Sequence, residues 1–210
     1  LLETAKRHID GDITIDEVRH LLDSYYNTKS DRSDDTARSE EADKVSANIT
    51  KLLNEQTFSF SPAGLAAIHG RVFEGVFKFV GTFRDCNISK KEWVLRGNSV
   101  DYLNWEDLRR ALDFDIQQER DFDYKGLTEE QKIKHICHFV SGLWQIHPFC
   151  EGNTRTTAVF TIQYLRSIGY NVDNEIFALH SWYFRNALVR ANYKNSKLGI
   201  NYDSSFLEKF

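Results

Sequence analysis

The sequence predicts a mainly α-helical fold with one short segment that we expect to form a β-hairpin. Only two prolines, Pro62 and Pro148, interrupt the 210 residues. Between them, apolar residues recur at three- and four-residue spacing, which is the helical period. Thr-x-x-Glu and Thr-x-x-Gln patterns precede two such stretches, as in capping boxes. Because no internal repeat is present, we expect a helical bundle rather than a repeat array.

The first helices are predicted over residues 1–57, as an extension that precedes the main domain. Residues 14–17 match a capping box that opens a helix, with Val18, Leu22 and Tyr25 on one face. The polar stretch at residues 27–38 is turn-prone, which makes it the best candidate for a linker. Helical spacing then resumes at Ala42, Val45, Ile49 and Leu52.

The main domain is predicted over residues 58–210. Ser61 is a good N-cap and Pro62 suits the first position of a helix, so a helix is expected to begin there. The pattern changes between Ser89 and Tyr102, where a turn-like stretch around Gly97 and Asn98 separates short apolar runs. This predicts a short β-hairpin or extended flap.

The rest of the domain is predicted to be helical. One helix is expected from Trp105 to Ile116. Thr128 and Gln131 suggest a second capping box, and the helix behind them leads directly to His147. Apolar spacing then continues to Gly169, a plausible C-cap, and the last clear helix carries apolar residues from Ile176 to Ala191.

Bulk properties exclude several classes of protein. A net charge of −4 and a pI of about 6.0 argue against a general nucleic-acid-binding surface. No apolar run approaches the roughly 20 residues of a membrane span, and the first residues lack the order of a signal peptide. The three cysteines show no Cys-x-x-Cys pairing. We therefore expect a cytoplasmic protein with no membrane or nucleic-acid partner.

The nine residues from His147 to Arg155, HPFCEGNTR, carry the strongest functional signal. His147 can take a proton near neutral pH, and Glu151 can hold Mg²⁺ through oxygen. A Gly-Asn turn can form an anion-binding nest, and the helix that follows adds unpaired N–H groups. This order of base, metal ligand, nest and helix start is what a phosphate-handling site needs.

This stretch resembles the signature of the Fic (filamentation induced by cAMP) family, His-x-Phe-x-Asp/Glu-Gly-Asn-Gly/Lys-Arg-x-x-Arg. Six residues match it in register: His147, Phe149, Glu151, Gly152, Asn153 and Arg155. Two depart, because Thr154 stands where Gly or Lys is usual and Ala158 where a second Arg is expected. The resemblance covers roughly residues 60–193 and implies a Fic-type helical bundle with a small β-hairpin flap.

The resemblance implies a protein adenylyltransferase, which moves AMP from ATP onto a Ser, Thr or Tyr hydroxyl of a target protein. His147 would be the catalytic base, and Glu151 would coordinate Mg²⁺ on the phosphates. The nucleotide would be bound by Gly152, Asn153 (also through its side-chain amide), Thr154, Arg155 and, on the last helix, Tyr183 with Asn186 and Arg190. The flap near residues 89–102 would clamp the target protein by main-chain pairing.

The departures leave alternatives open. The second Arg normally contacts the γ-phosphate, so Ala158 admits a relative that transfers UMP, phosphocholine or phosphate. A non-catalytic nucleotide-binding interaction module is a further alternative, although an intact His147 and Glu151 argue against it. Many Fic proteins carry an inhibitory Ser/Thr-x-x-x-Glu-Gly/Asn helix. In the nearest stretch here, residues 46–51, Thr50 replaces the Glu, so we expect no glutamate–arginine lock.

Overall fold

The computed structural model describes residues 1–28 and 33–210 as a mainly helical protein. The described residues form ten α-helices: α1 Leu2–Ile9, α2 Ile15–Thr28, α3 Asp34–Asn54, α4 Pro62–Val72, α5 Leu108–Arg120, α6 Glu129–Ile146, α7 Asn153–Ser167, α8 Glu175–Leu179, α9 Ser181–Ala191 and α10 Ser205–Lys209. Short 3-10 turns lie at Trp93–Leu95, Trp105–Asp107 and Ser196–Leu198. Within these ranges, no helix is both long and apolar enough to cross a membrane.

Local capping signals set three of the helix starts. The Thr14 N–H donates to Glu17 Oε2 at 2.7 Å, and the Glu17 N–H donates to Thr14 Oγ1 at 3.3 Å. Thr128 and Gln131 form the second capping box before α6. The Gly64 N–H donates to Ser61 Oγ at 3.0 Å, directly before α4. These starts are confirmed because capping depends on residues only three positions apart.

The chain divides into two compact units, of which the first contains residues 1–57 and 66–82. Its helices α2 and α3 pack against each other around a buried apolar cluster of Ile13, Val18, Leu22, Tyr26 and Ala47. The Tyr26 hydroxyl donates to Asp43 Oδ2 at 2.5 Å, which satisfies its polar end within this core. The predicted domain boundary at residue 57 stays a prediction.

The predicted linker at residues 27–38 needs correction. Residues 27–28 end α2 and residues 34–38 begin α3, while residues 29–32 lie outside the described residues. Ser33 caps α3 by accepting the Thr36 N–H at 3.3 Å, and acidic side chains in the first turn favour a helix N-terminus. Polar residues at 33–36 therefore start a helix rather than separate two helices.

The second unit contains residues 58–65 and 83–210. Helix α6 is central to it, because α5, α7, α9 and α10 all contact this helix. Its core is aromatic and aliphatic, and the largest fully buried side chains include Leu108, Leu112, Ile116, Leu143, Trp144, Phe149, Phe160 and Ile162. The predicted last helix is divided at His180 into α8 and α9.

The predicted β-hairpin at residues 89–102 is not confirmed, since the described residues contain no β-strand there. A 3-10 turn at Trp93–Leu95 is followed by Arg96 and Gly97, both in the left-handed region with φ of 54° and 87°. The Gly97 N–H donates to the Glu92 carbonyl and the Glu92 N–H to the Asn98 carbonyl, each at 2.9 Å. Hydrogen bonds thus close within one loop instead of pairing two strands.

Candidate active site

The connection between α6 and α7 forms the centre of the candidate site. Helix α6 ends where His147 adopts left-handed backbone angles, φ 51° and ψ 59°, and Pro148 cannot continue the helix. Gly152, with φ 79°, then opens α7. The loop is short because both of its ends reverse the backbone with left-handed residues.

The side chain of His147 is held in one tautomer. The residue is only 3% exposed, and its Nδ1 lies 3.1 Å from the Trp144 carbonyl oxygen. A carbonyl can only accept, so Nδ1 carries the proton and Nε2 keeps its lone pair. The ring lies on that of Tyr102, with centroids 4.0 Å apart, and meets the edge of Trp144 at 5.0 Å. Packing and the hydrogen bond together orient Nε2 as a proton acceptor.

Burial lowers the pKa of His147 from its ordinary value near 6.5 to about 3, and the positive charge of Lys90 lowers it further in the same direction. Arg84 and Arg185 add smaller effects of the same sign, while the hydrogen bond to Trp144 opposes them. The imidazole is therefore neutral near neutral pH, which is the form that a general base requires.

Arg84 secures this loop from the preceding segment. Its Nε donates to the His147 carbonyl at 2.8 Å, and its other nitrogens donate to the carbonyls of Ile146, Cys86 and Leu103. Its backbone N–H donates to Pro148 O at 2.9 Å. Burial lowers the pKa of Arg84, but four carbonyl acceptors satisfy the buried guanidinium. Arg84 thus connects the backbone at Ile146 and His147 with the segment from Arg84 to Leu103.

Asn153 closes the other end of the loop with its side chain. Its Oδ1 accepts the Phe149 N–H at 2.9 Å, and its Nδ2 donates to the Phe149 carbonyl at 2.7 Å. The residue is 3% exposed. The side chain thus braces the loop, and its contact with a phosphate oxygen stays a prediction. Phe149 is fully buried and anchors the loop from inside.

The first turn of α7 faces an open cavity without a capping side chain. Gly152 makes no side-chain cap, and the Thr156 N–H donates to the Gly152 carbonyl at 3.0 Å. Thr154 is held by Trp144, whose Nε1–H donates to Thr154 Oγ1 at 2.9 Å. Uncapped N–H groups and the positive end of the helix dipole make such a terminus suited to anions.

Glu151 pairs with Lys90 on the loop before the Trp93 turn. Lys90 Nζ lies 3.1 Å from both carboxylate oxygens of Glu151. Burial would raise the pKa of Glu151, but Lys90, the Gly152 N–H and Arg155 together lower it. The carboxylate is thus ionised and still half-exposed.

A magnesium ion fits this carboxylate in the manner of sites completed by phosphate oxygens. Mg²⁺ commonly binds one or two carboxylates together with substrate phosphates. Glu151 supplies one ionised carboxylate at the cavity edge, and the described residues contain no group of three or more metal-ligating side chains. Oxygens of a bound phosphate would therefore complete the ligands of a metal held by Glu151.

The cavity has a volume of about 320 Å³ and brings most predicted residues together. Its walls are Lys90, Glu92, Trp144, His147, Glu151, Gly152, Asn153, Thr154, Arg155, Ser181, Trp182 and Arg185. Tyr183 is not among them, because its ring stacks on Phe210 with centroids 6.3 Å apart. Helix α9 contributes the face that carries Ser181, Trp182 and Arg185 instead.

Two acid–base pairs line this cavity. Besides Lys90 and Glu151, Arg185 lies 2.7 Å from Glu92 Oε2. Glu92 is completely buried, and the Tyr102 hydroxyl donates to its Oε1 at 3.3 Å. Sequence reasoning missed Arg84, Lys90, Glu92 and Arg185. The alternation of Lys90 and Glu92 in an extended segment is the one local signal that could have placed two of them on a common side.

Comparison with known proteins identifies the family. The model of the Fic/DOC family matches residues 59–165, more than half of the chain. No curated protein matches the sequence. The fold is similar to that of the BepC protein of Bartonella tribocorum, a VirB-translocated effector solved with bound AMPPNP, at 18% identity and a TM-score of 0.63, covering 85% of this chain and 86% of that one.

Two further crystal structures share the fold. The N-terminal Fic domain of the Bep8 protein of Bartonella sp. 1-1C matches at 20% identity and a TM-score of 0.62, covering 85% of this chain and 83% of that one. The N-terminal Fic domain of a VirB-translocated effector of Bartonella quintana was solved with bound ADP. It matches at 20% identity and a TM-score of 0.62, covering 78% of this chain and 80% of that one. The family match, the motif in register and the shared helical fold agree: this chain belongs to the Fic/DOC family.

Proposed function

We propose that this chain is a protein adenylyltransferase, which transfers AMP from ATP to a Ser, Thr or Tyr hydroxyl of a target protein. The observation that carries the proposal is the neutral His147, whose Nδ1 is held by Trp144 beside the uncapped start of α7. The AMPPNP in the BepC structure and the ADP in the B. quintana structure support a nucleotide as the ligand of this cavity.

In this mechanism His147 Nε2 takes the proton of the target hydroxyl as its oxygen attacks the α-phosphorus. The new oxygen–phosphorus bond replaces the bond to pyrophosphate, which leaves. The N–H groups at the start of α7 and the guanidinium of Arg155 lie in the cavity wall, where they would stabilise negative charge on the phosphate oxygens. Because Arg84 and Asn153 hold the loop, these groups need little rearrangement.

Magnesium would be held by Glu151, and it would supply neutralisation of phosphate charge. Lys90 occupies both oxygens of this carboxylate. Lys90 would therefore compete with the metal for Glu151. Lys90 itself lines the cavity, where its ammonium group would lie close to bound phosphates.

A second candidate is transfer of another phosphate-containing group, such as UMP, phosphocholine or phosphate. Ala158 favours it, since this position on α7 has no donor for a γ-phosphate. We further propose that the target protein contacts the loop at residues 89–102. This loop exposes Trp93, which is 74% accessible and lies 6.3 Å from Trp182 between ring centroids.

The test is incubation of the protein and candidate targets with ATP labelled at the α- or the γ-phosphate, followed by detection of labelled protein. We expect transfer of the α-label, its loss on His147→Ala, and retention of ATP binding in that variant. His138→Ala is the matched control, because His138 is exposed on the same helix and outside the cavity wall.

Other results would decide against adenylylation. Transfer of the γ-label would indicate phosphate transfer, and absence of both labels would favour another donor or a binding module. Full activity of His147→Ala, with ATP binding unchanged, would remove His147 from the mechanism.

A further inference from the structure

Arg185 is a cavity-lining cation whose hydrogen-bond donors are unused. A guanidinium carries five N–H donors, yet within residues 1–28 and 33–210 that of Arg185 makes an ion pair with Glu92 and a cation–π contact with Trp182, 5.6 Å from the ring centroid. Glu92 Oε2 accepts no hydrogen bond from the described residues. The 2.7 Å contact between them is thus an ion pair without hydrogen-bond alignment.

The position of Arg185 relates it to the anion-binding start of α7. Ser181, Trp182 and Arg185 follow one another at helical spacing and line the cavity that also contains His147 and Arg155. Lys90, by contrast, is paired with both oxygens of Glu151. A phosphate group that enters this cavity therefore meets at Arg185 a fork of donors with no hydrogen-bonded partner to displace.

Glu92 and Tyr102 hold the guanidinium in place from behind. Glu92 is completely buried and Arg185 is about one-third exposed at its side chain. Tyr102, which donates to the other oxygen of Glu92, is the ring on which His147 lies. Arg185 is thus oriented by the same group of side chains that orients the catalytic base.

We infer that Arg185 binds the phosphates of the nucleotide beyond the α-phosphate, and so supplies the donor that Ala158 lacks in the signature motif. A guanidinium fork matches phosphate oxygens in two parallel hydrogen bonds. The inference rests on the proposed function. It assigns to α9, instead of α7, the residue that distinguishes a triphosphate donor from a monophosphate.

The test separates this role from that of a simple counter-ion to Glu92. Removal of Arg185 alone would leave a buried charge unpaired, so the informative variant is Glu92→Gln with Arg185→Gln, compared with Glu92→Gln alone. Lys194→Gln controls for the loss of a positive charge near α9, because Lys194 is exposed and does not line the cavity. Affinities for ATP, AMP and inorganic tripolyphosphate are measured by titration calorimetry.

We expect the double variant to bind ATP and tripolyphosphate about ten- to a hundredfold more weakly than Glu92→Gln, as for lost hydrogen bonds to a charged group. AMP affinity should stay within about twofold. Should the double variant fail to fold by circular dichroism, Arg185→Lys replaces it, since it keeps Glu92 paired. It should weaken ATP but not AMP.

Unchanged ATP affinity, or equal losses for ATP and AMP, would overturn the inference. The protein could also bind tripolyphosphate and neither nucleotide, with tripolyphosphate binding lost in the double variant. That result would support the phosphate site at Arg185 and would contradict the proposed adenylyltransferase activity. If the unaltered protein binds none of the three ligands, both proposals fail.

Discussion

Arg84 and His147 are both buried, and neither forms a hydrogen bond with a carboxylate of the described residues. Their side chains donate to backbone carbonyls instead. A carbonyl satisfies a donor without neutralising a positive charge. The charge of Arg84 therefore adds to burial and to the charge of Lys90, which are the larger causes, in lowering the pKa of His147. A bound polyphosphate would oppose these positive charges and raise the pKa of His147 towards the range of an effective base.

The prediction at this scale concerns Lys90. Lys90→Ala removes the ammonium group that lies 3.1 Å from both oxygens of Glu151. We therefore expect the carboxylate to bind Mn²⁺, used as a probe, about two- to fivefold more tightly, as loss of one exposed ion pair allows. Electron paramagnetic resonance of free Mn²⁺ measures this in the absence of nucleotide. Lys91→Ala is the matched control, since Lys91 is the exposed neighbour and forms no ion pair with a described residue. Equal affinities in the two variants would contradict the competition.

At the scale of the elements, Glu119 joins three helices of the second unit. This buried carboxylate of α5 accepts hydrogen bonds from Tyr124 and from Tyr164 on α7, and its other oxygen lies 2.7 Å from His135 Nε2 on α6. Burial and Glu119 together raise the pKa of both tyrosines. The two hydroxyls thus stay protonated and remain donors.

Glu119→Ala is expected to lower the free energy of unfolding by about 3–5 kcal/mol, because it removes the buried acceptor that two tyrosine hydroxyls and His135 share. Urea denaturation measures the loss. Glu106→Ala, at an exposed position ahead of α5, should change stability by less than about 0.5 kcal/mol. A loss at Glu119 no larger than this control would show that water replaces the carboxylate.

Elements whose signal is local were predictable, and those that depend on distant partners were not. The capping boxes at Thr14 and Thr128 bind within four residues, so sequence alone locates them. On α9, Ser181, Trp182 and Arg185 face the cavity, whereas Tyr183 stacks on Phe210. The sequence of this helix alone does not show which of its faces lies toward the cavity. Nothing near Arg84 in sequence reveals that two of its acceptors, the carbonyls of Ile146 and His147, lie more than sixty residues further on.

The hairpin prediction is not confirmed, for a related reason. Gly97 and Asn98 do form a turn, as their sequence indicates, but hairpin and 3-10 loop share the same turn residues. Glu92, at the start of this loop, is buried beside Arg185, a contact across 93 positions of sequence that no local pattern reveals. The motif itself was predictable because its chemistry lies within nine consecutive residues.

For the whole molecule, burial of His147 predicts acid lability. In the unfolded chain the imidazole takes a proton below its ordinary pKa of about 6.5, whereas in the folded chain it stays neutral down to about 3. Burial of neutral His147 therefore carries no penalty above about pH 6.5. As the pH falls from 6.5 towards 3, protonation of the unfolded chain progressively lowers the free energy of unfolding. At pH 5 the loss from this group alone is about 2 kcal/mol.

Urea denaturation at pH 7 and pH 5 checks this expectation. His147→Ala should lose about 2 kcal/mol less than the unaltered protein over that interval, whereas His138→Ala should behave as the unaltered protein does. Glu151 and other carboxylates with lowered pKa lose their contribution only nearer pH 4.5. The difference between the unaltered protein and His147→Ala over this interval therefore isolates His147 from the other titrating groups. Equal acid losses in all three proteins would show that His147 is protonated in the folded state.

The left-handed backbone conformation of His147 lowers the stability of the fold at the position of the proposed catalytic base. A residue with a β-carbon costs roughly 1–2 kcal/mol there, and glycine avoids that cost. The most stable sequence at this helix end is thus an inactive one. We expect the free energy of unfolding of His147→Gly to exceed that of His147→Ala by about 1 kcal/mol. Urea denaturation of the two variants measures this difference. The proposed base therefore stands at a position where glycine would give the more stable chain.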